Sequence, residues 1–564
     1  MTECQRSASG LFPRLGQFRA MRRVLSFAIG MVVALASGCA VPTDRQGPNA
    51  AGRPQPLANL LLIVVDTLRA DHVGSFGGAA LTPSMNVLAE GGVRFDRAYA
   101  HIPVTGPSHA SIFTGVTPAA HGVERNAQAL DESFTTIAEV LASRGLRTGA
   151  VVSLGVMASK FGFGQGFEQY DDAFDLQWFR PAEEITDSAL AMIGGWPRED
   201  RFFAFVHYSD PHEPYAPPGL EYPELDVVVD GSKVTTVRVN GLGNRVHLQL
   251  APGRHEIRFE MVNAKEPPSM TFQQLRLVGP KVKLLMARGW RAAAGTPPQN
   301  ANYSTSMPAT LSAVVGGDDA TEVPCTLKFF ASEKLTTAVA RERYRLEVEY
   351  ADRQIGRLLD SLERAGRLTD TVVVITSDHG EGLGEHGLIG HIHQLYDSLI
   401  RVPLIVVAPG VSRRGLVVTA PVRHVDLRPT LFGLLDVEDP TPGVGVDFGA
   451  CLPGESAPPN VTHLCMTYKP LARENLYGLI IDSRKLIRNE ETGEVELYEL
   501  EFDPGEINNL AVERQDLSHE ISKLSFTLDS ILMKGRGSIA PPPSPEPLGQ
   551  DDKEMLEALG YVQE

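Results

Sequence analysis

Asn59 to Val65, NLLLIVV, is an unbroken apolar run closed by Asp66. Runs of this kind belong to strands buried on both faces of a parallel sheet. The same pattern predicts strands over Thr148–Ser153, Phe202–His207, Thr371–Thr376 and Val402–Val407. Helical patterning lies between them. Thr136 and Glu139 have capping-box spacing, and Ile137, Val140 and Leu141 share one face until Gly145 can stop the helix. Ile355, Leu358, Leu359 and Leu362 recur at i, i+3, i+4 and i+7 in a helix ending near Gly366. Strands alternating with amphipathic helices predict a doubly wound α/β domain.

Residues 223–333 break that rhythm. Val227–Val229 run into Asp230-Gly231, a hairpin signal. Val234–Val239 and Val246–Leu250 alternate apolar and polar positions, and Pro252-Gly253 turns the chain before Ile257–Met261. This reads as an inserted β domain of the sandwich type. It divides the α/β domain into 58–222 and 334–470. Tyr477–Ile481, Lys485–Arg488 and Val495–Leu500 predict a small antiparallel sheet within a subdomain spanning 471–539. In 540–564, the extended linker Ala540–Pro547 precedes a short helix carrying Met555, Leu556 and Leu559.

The amino end reads as an address. Arg22 and Arg23 precede the apolar run Val24–Leu35, which is too short to span a bilayer as a helix. Leu35-Ala36-Ser37-Gly38-Cys39 then looks like a bacterial lipobox, so residues 1–39 are expected to act as a signal peptide. Lipidation of Cys39 would make an exported lipoprotein of the cell envelope. Ala40 after the cysteine points to the outer membrane, facing the periplasm or the cell surface. Residues 40–57 read as a tether.

Composition narrows the class. Of 564 residues, 43% are hydrophobic and 21% charged, which excludes a disordered chain. A net charge of −17 excludes general nucleic-acid binding, which depends on basic groups displacing counterions. The five cysteines show neither CxxC pairs nor zinc-ligand spacing. Cys451 and Cys465 could bridge or stand as separate thiols.

Two of the buried runs end in acid, at Asp66 and at Asp378-His379. Ligands collect beyond the carboxyl ends of strands in open α/β sheets, so these groups can converge on a divalent cation. Either aspartate alone would read as a helix cap. Between them lies PVTGPSHASIFTG, where Pro107 suits a first helical turn and Gly115 its end. Thr105 then falls at a helix amino terminus, which favours a tetrahedral anion. A metal-bound hydroxyl at that point is a usable nucleophile, while alone Thr105 would read as a capping residue.

The segments NLLLIVVDTLRADH, PVTGPSHASIFTG, FVHYSDPHEPY, TSDHGEGLGEHG, HQLYDSLIRVPLIV, VDLRPTLFGLL and LYELEFDPGEINNLA together resemble the sulfatase family, within the larger alkaline phosphatase group. The resemblance covers 57–222 and 334–562. It implies an α/β fold with a doubly wound mixed sheet flanked by helices, plus the inserted β domain and the small C-terminal antiparallel sheet. It places Asp66, Asp378 and His379 on the metal, with Thr105 as a further ligand and the nucleophile. His212 and His393 would contact the ester oxygens or the leaving group. His207, Asp210, His391 and His424 lie nearby by motif.

The departures bear on the chemistry. Sulfatases carry Cys or Ser in a C/S-x-P-x-R pattern and oxidise it to formylglycine. Here Thr105 and His109 occupy the first and last positions, so no formylglycine is expected. Val116 replaces a basic residue, His393 a lysine, and Thr67 a second aspartate. The Asp-His pair with a threonine looks more like the phosphoryl-transfer branch. The expected cofactor is one divalent ion: Mn, Zn or Ca. A second could sit among Asp210, His212 and His391, although Pro214 stands where that branch has its histidine.

The resulting expectation is a metal-dependent hydrolase of sulfate, phosphate or phosphonate esters. Its substrate would be a small molecule or a glycan or lipid ester, and the membrane would be reached through the lipid anchor. The alternatives are a transferase passing the covalent group to a surface polymer, and a degenerate binding protein.

Overall fold

A computed structural model describes residues 58–536 except 175–178, 242, 263–268, 287–290, 293–302, 307–308, 317–321, 334, 392–393, 459–460 and 468–474. The signal peptide with Cys39, the tether, His393, the proline-rich linker and the terminal helix fall outside the described residues.

The apolar run forms strand β1, Asn59–Val65, and every residue of it is buried. Alternation explains why both faces must be apolar. Leu60, Leu62 and Val64 enter one hydrophobic core, and Leu61, Ile63 and Val65 enter the other. β1 pairs in parallel with Phe202–Tyr208 on one side and Thr371–Thr376 on the other. Arg147–Val151 and Gln169–Asp171 extend the sheet in parallel beyond Phe202–Tyr208. On the opposite flank Arg401–Val407 runs antiparallel to Thr371–Thr376 and to β2, Val93–Tyr99. Leu416–Val418 and Val422–Arg423 pair with β2. The sheet is therefore mixed and doubly wound.

Helices cover both faces. α1 (Pro83–Gly91), Ala182–Gly194 and the long helix Thr337–Arg364 line one core. α2 (Thr105–Thr114), Ile137–Ser143 and Leu427–Leu435 line the other. The Thr136–Glu139 capping box is formed. Asp352 of the long helix accepts from the Ser84 and Met85 N–H groups and so closes the start of α1.

The chain leaves this sheet after Tyr208 and builds two five-stranded antiparallel sheets. They enclose one apolar core that includes Phe259, Phe272 and Phe329. Glu224–Val229 and Ser232–Arg238 form the expected hairpin, with Asp230 and Gly231 both at positive φ, as a type I′ turn demands. Where this insertion meets the catalytic body, Gly241 backs onto Pro214. A Cβ at 241 would lie 2.3 Å from the Cβ of Pro214. The Gly241 N–H donates to Ala331 O at 3.0 Å.

The C-terminal sheet has four strands, His463–Met466, Leu476–Ile481, Arg484–Asn489 and Val495–Glu499. It thus starts before the boundary expected at 471, because the short buried run HLCM carried no turn signal of its own. Helix Ser518–Arg536 packs on it through Leu524, Leu528 and Leu532. Lys485 is buried between Asp397 (2.9 Å) and Glu506 (2.6 Å), which ties this sheet to the catalytic body. Cys451 and Cys465 are free and buried, so the bridge is not formed.

Candidate active site

Most of the chemistry-bearing groups among the described residues meet at one edge of the central sheet, beyond the carboxyl ends of its parallel strands. Asp66 follows β1, and Asp378 and His379 follow Thr371–Thr376, which pairs beside it. One bond ties these loops together and a second stiffens one of them: the Leu68 N–H donates to Ser377 Oγ at 2.9 Å, and within its own loop Ser377 Oγ donates to His379 O at 2.5 Å. Thr67 lies between them with φ +56, a left-handed conformation unusual for a β-branched residue. Its N–H donates to Asp378 Oδ1 at 3.2 Å, so the strained backbone helps hold the second aspartate.

Asp66, Asp378 and His379 are fully buried, and each offers a ligand atom, all within 4.8 Å of one another. The two oxygens of Asp378 are divided. Oδ1 also accepts from the His379 N–H at 2.9 Å, whereas Oδ2 has no hydrogen-bond partner among the described residues. His379 donates from Nδ1 to Gly380 O at 2.9 Å, which turns its bare Nε2 inward, 3.4 Å from Asp378 Oδ2. Burial pushes both carboxyls above the usual carboxylate range. Burial would lower His379, but the Asp378 and Asp66 carboxylates outweigh it and raise the imidazole. Two buried carboxylates and an inward imidazole nitrogen fit a divalent cation in charge, donor type and spacing.

Thr105 opens α2, all ten residues of which are buried. The N-cap is Val104, one residue earlier, and Gly115 ends the helix in the left-handed region. The Thr105 hydroxyl therefore does not cap the helix. It faces the Asp66 carboxylate and has no other side-chain or backbone partner among the described residues. The neighbouring Ser108 hydroxyl is committed to Asp378 O at 2.7 Å.

His109 stands one turn along α2, where Nδ1 donates to Thr105 O at 2.8 Å and lies 3.8 Å from Asp378 Oδ2. Burial lowers its pKa to about 3, so it supplies no arginine-like charge. His207 brings Nε2 within 3.3 Å of Asp66 Oδ2 and is lowered to about 4 by burial. His424 reaches Ser108 Oγ at 3.2 Å.

The opposite flank carries His212, whose Nδ1 donates to Glu213 O at 2.6 Å, and His391. The ring centroid of His391 lies 5.0 Å from that of His212 and 4.6 Å from that of His379. Asp210 does not join them. Its carboxyl turns to the Ala182 N–H and to Glu347, where burial raises it to about 7. The expected Asp210–His212–His391 grouping is thus not formed, because the turn at Ser209–His212 directs the aspartate to the start of helix Ala182–Gly194.

Two contributors escaped the sequence reading. Asn126 accepts from the Gly106 N–H at 2.7 Å, and its Nδ2 is buried without a partner among the described residues. Glu381 is fully buried with Oε1 3.2 Å from His391 Nδ1. The latter lies two residues beyond His379 and was within reach of the motif. Nothing local distinguished Asn126.

The sulfatase family model matches residues 58–437, and the model described as N-sulphoglucosamine sulphohydrolase, C-terminal, matches 384–532. The uncharacterized sulfatase YidJ of Escherichia coli (strain K12) is 27% identical over 80% of this chain and 82% of its own. The N-acetylglucosamine-6-O-sulfatase of Bacteroides thetaiotaomicron is 24% identical over the same shares, 80% and 82%. The fold matches BT4656 in complex with its substrate D-glucosamine-2-N,6-O-disulfate, with TM-score 0.59 and 19% identity over 86% of this chain and 100% of that one. It also matches the phosphonate monoester hydrolase of Silicibacter pomeroyi, with TM-score 0.56 and 20% identity over 85% and 96%. With two thirds of its length inside the family model, and with paired acids at adjacent strand ends, the chain belongs to the sulfatase family.

Proposed function

We propose that this sulfatase-family ester hydrolase works through a covalent ester on an unmodified Thr105. The observation that carries the reading is the Thr105 hydroxyl, buried at the start of α2, facing Asp66 and free of any capping bond. A divalent cation held by Asp66, Asp378 and His379 would lower the pKa of that hydroxyl and draw charge from a substrate oxygen.

The chain's own residues account for the remainder. Thr105 Oγ1, its proton already released to solvent, attacks phosphorus or sulfur as an alkoxide while the bond to the leaving oxygen breaks on the opposite side. The amino terminus of α2 and the free amide of Asn126 stabilise the oxygens that gain charge. His212 and His391 flank the departing alkoxide, and one gives it a proton. Water then attacks the Thr105 ester, returns that proton to the histidine, and frees the threonine.

The chemistry of the second step favours phosphorus. A formylglycine adduct keeps a second hydroxyl that can expel the anion by collapse to the aldehyde. A threonine ester has none, so water must attack the central atom directly. That step is ordinary for phosphoryl groups and slow for alkyl sulfates. Phosphate and phosphonate esters are expected to turn over faster than sulfate esters of the same alcohol.

The test uses nitrophenyl sulfate, phosphate and phosphonate substrates with Mn, Zn or Ca added. Thr105→Ala should lower kcat by about 10³-fold or more, while Thr105→Ser keeps part of it. Intact-mass analysis should find the adduct on the Thr105 peptide. Full activity in the alanine variant, or an adduct on Ser108, would refute the assignment.

A further inference from the structure

We propose that Glu381 is a positioning residue for the leaving-group side of this reaction, an inference that rests on the hydrolase reading above. Its carboxylate holds the imidazole of His391 in the orientation that serves the departing oxygen.

The backbone of Glu381 is fixed independently of its side chain. Its N–H donates to Ser398 O at 3.0 Å, and its carbonyl accepts from the buried Arg69 guanidinium at 3.1 Å. The side chain is fully buried and reaches His391 Nδ1 at 3.2 Å, with the Tyr215 phenol beside the same carboxyl. A carboxylate in such a place is expensive to desolvate, by several kcal/mol. Leucine or glutamine would fill the space without that penalty. What the carboxylate adds is a strong acceptor for one ring nitrogen of His391. With the Nδ1–H given to Glu381, the ring plane is set, and Nε2 is the nitrogen turned away from the carboxylate. The flanking rings of His212 and His379 confine it to the space beside Asp66. His391 is thereby a partner for His212 on the leaving-group side.

The experiment compares two esters of one acid, with a 4-nitrophenyl and a methyl leaving group. Nitrophenolate departs unaided, whereas methoxide needs a well-placed donor. Glu381→Ala should lower kcat on the methyl ester by about 10²-fold and on the nitrophenyl ester by less than about tenfold. KM and the bound metal, measured by mass spectrometry, should hold. Glu381→Gln keeps a weaker, neutral acceptor for Nδ1–H, so its methyl-ester rate should fall between those of the wild type and the alanine variant, and it guards against a folding defect in the latter. Equal losses on both esters, loss of metal, a glutamine variant as poor as the alanine one, or no loss at all would each overturn the proposal. A wild type that cleaves neither ester would instead sink the hydrolase reading, and this inference with it.

Discussion

The inserted sandwich and the catalytic edge of the central sheet solve opposite problems with the same material. Among the described residues of 224–333, no oxygen- or nitrogen-bearing side chain is buried, and the interior is aliphatic and aromatic apart from Met270 and the Cys325 thiol. At the sheet edge Asp66, Thr105, Ser108, His109, His207, His212, Asp378, His379 and Glu381 are all buried together. Burying such groups without full pairing costs several kcal/mol, which a region selected only for stability would shed. The contrast separates a part of the chain that is optimised for packing from one that keeps unfavourable groups because they act.

The largest effect that could break this contrast is at Asp66. Asp66→Ala should abolish bound metal and lower turnover by about 10³-fold or more. Because burial outweighs what its partners return and holds the Asp66 carboxyl above the usual range, the metal-free variant should melt no lower than metal-free wild type. Metal analysis and thermal unfolding check both halves; a full complement of metal, or a large fall in melting temperature, would erase the distinction.

The sandwich should behave the other way. In its core the Phe259 ring lies tilted against Phe272, centroids 4.8 Å apart, and edge-to-face with Phe329 at 5.1 Å. Phe259→Ala should remove about 3–5 kcal/mol from the stability of that domain. Turnover of a small ester should stay close to wild type. Denaturant unfolding combined with kinetics reads this, and lost activity at intact stability would show the insertion to be part of the site.

The smallest effect sharpens the comparison at its border. Burial lifts Asp210 to about 7, and burial together with the facing Asp210 carboxylate pushes Glu347 well above the usual carboxyl range. A carboxyl whose folded pKa is raised stabilises the protein below its unfolded pKa, near 4, and loses that contribution as pH climbs to 7. Asp210→Asn, which still offers an oxygen to the Ala182 N–H, should flatten stability across that window. Unfolding at pH 5 and pH 8 gives the slope; an unchanged slope would remove Asp210 from the account.

What the sequence disclosed follows from the same contrast. β1 and Thr371–Thr376 were legible because strands buried on both faces must be apolar throughout, and the acid that ends each is then conspicuous. β2 was not, because VRFDRAY mixes Arg94, Asp96 and Arg97 into a half-buried pattern. Thr105 could be placed from Pro107 and Gly115, but its freedom from capping depends on Val104 taking the cap. Asp210 misled because a motif fixes spacing along the chain and says nothing of which way a turn sends the carboxyl. His391 was named only as lying nearby, because its partnership with Glu381 spans ten residues and follows no local spacing rule.

The contact between Gly241 and Pro214 has a bearing on how such a protein can be recombined. The insertion looks like an interchangeable module, yet its border residue presses on the loop that carries His212. Any replacement domain grafted at this point inherits a steric rule, that the residue set against Pro214 must lack a side chain. Diversification of the insertion is thereby coupled to the catalytic loop at one position and left free at the far end of the sandwich.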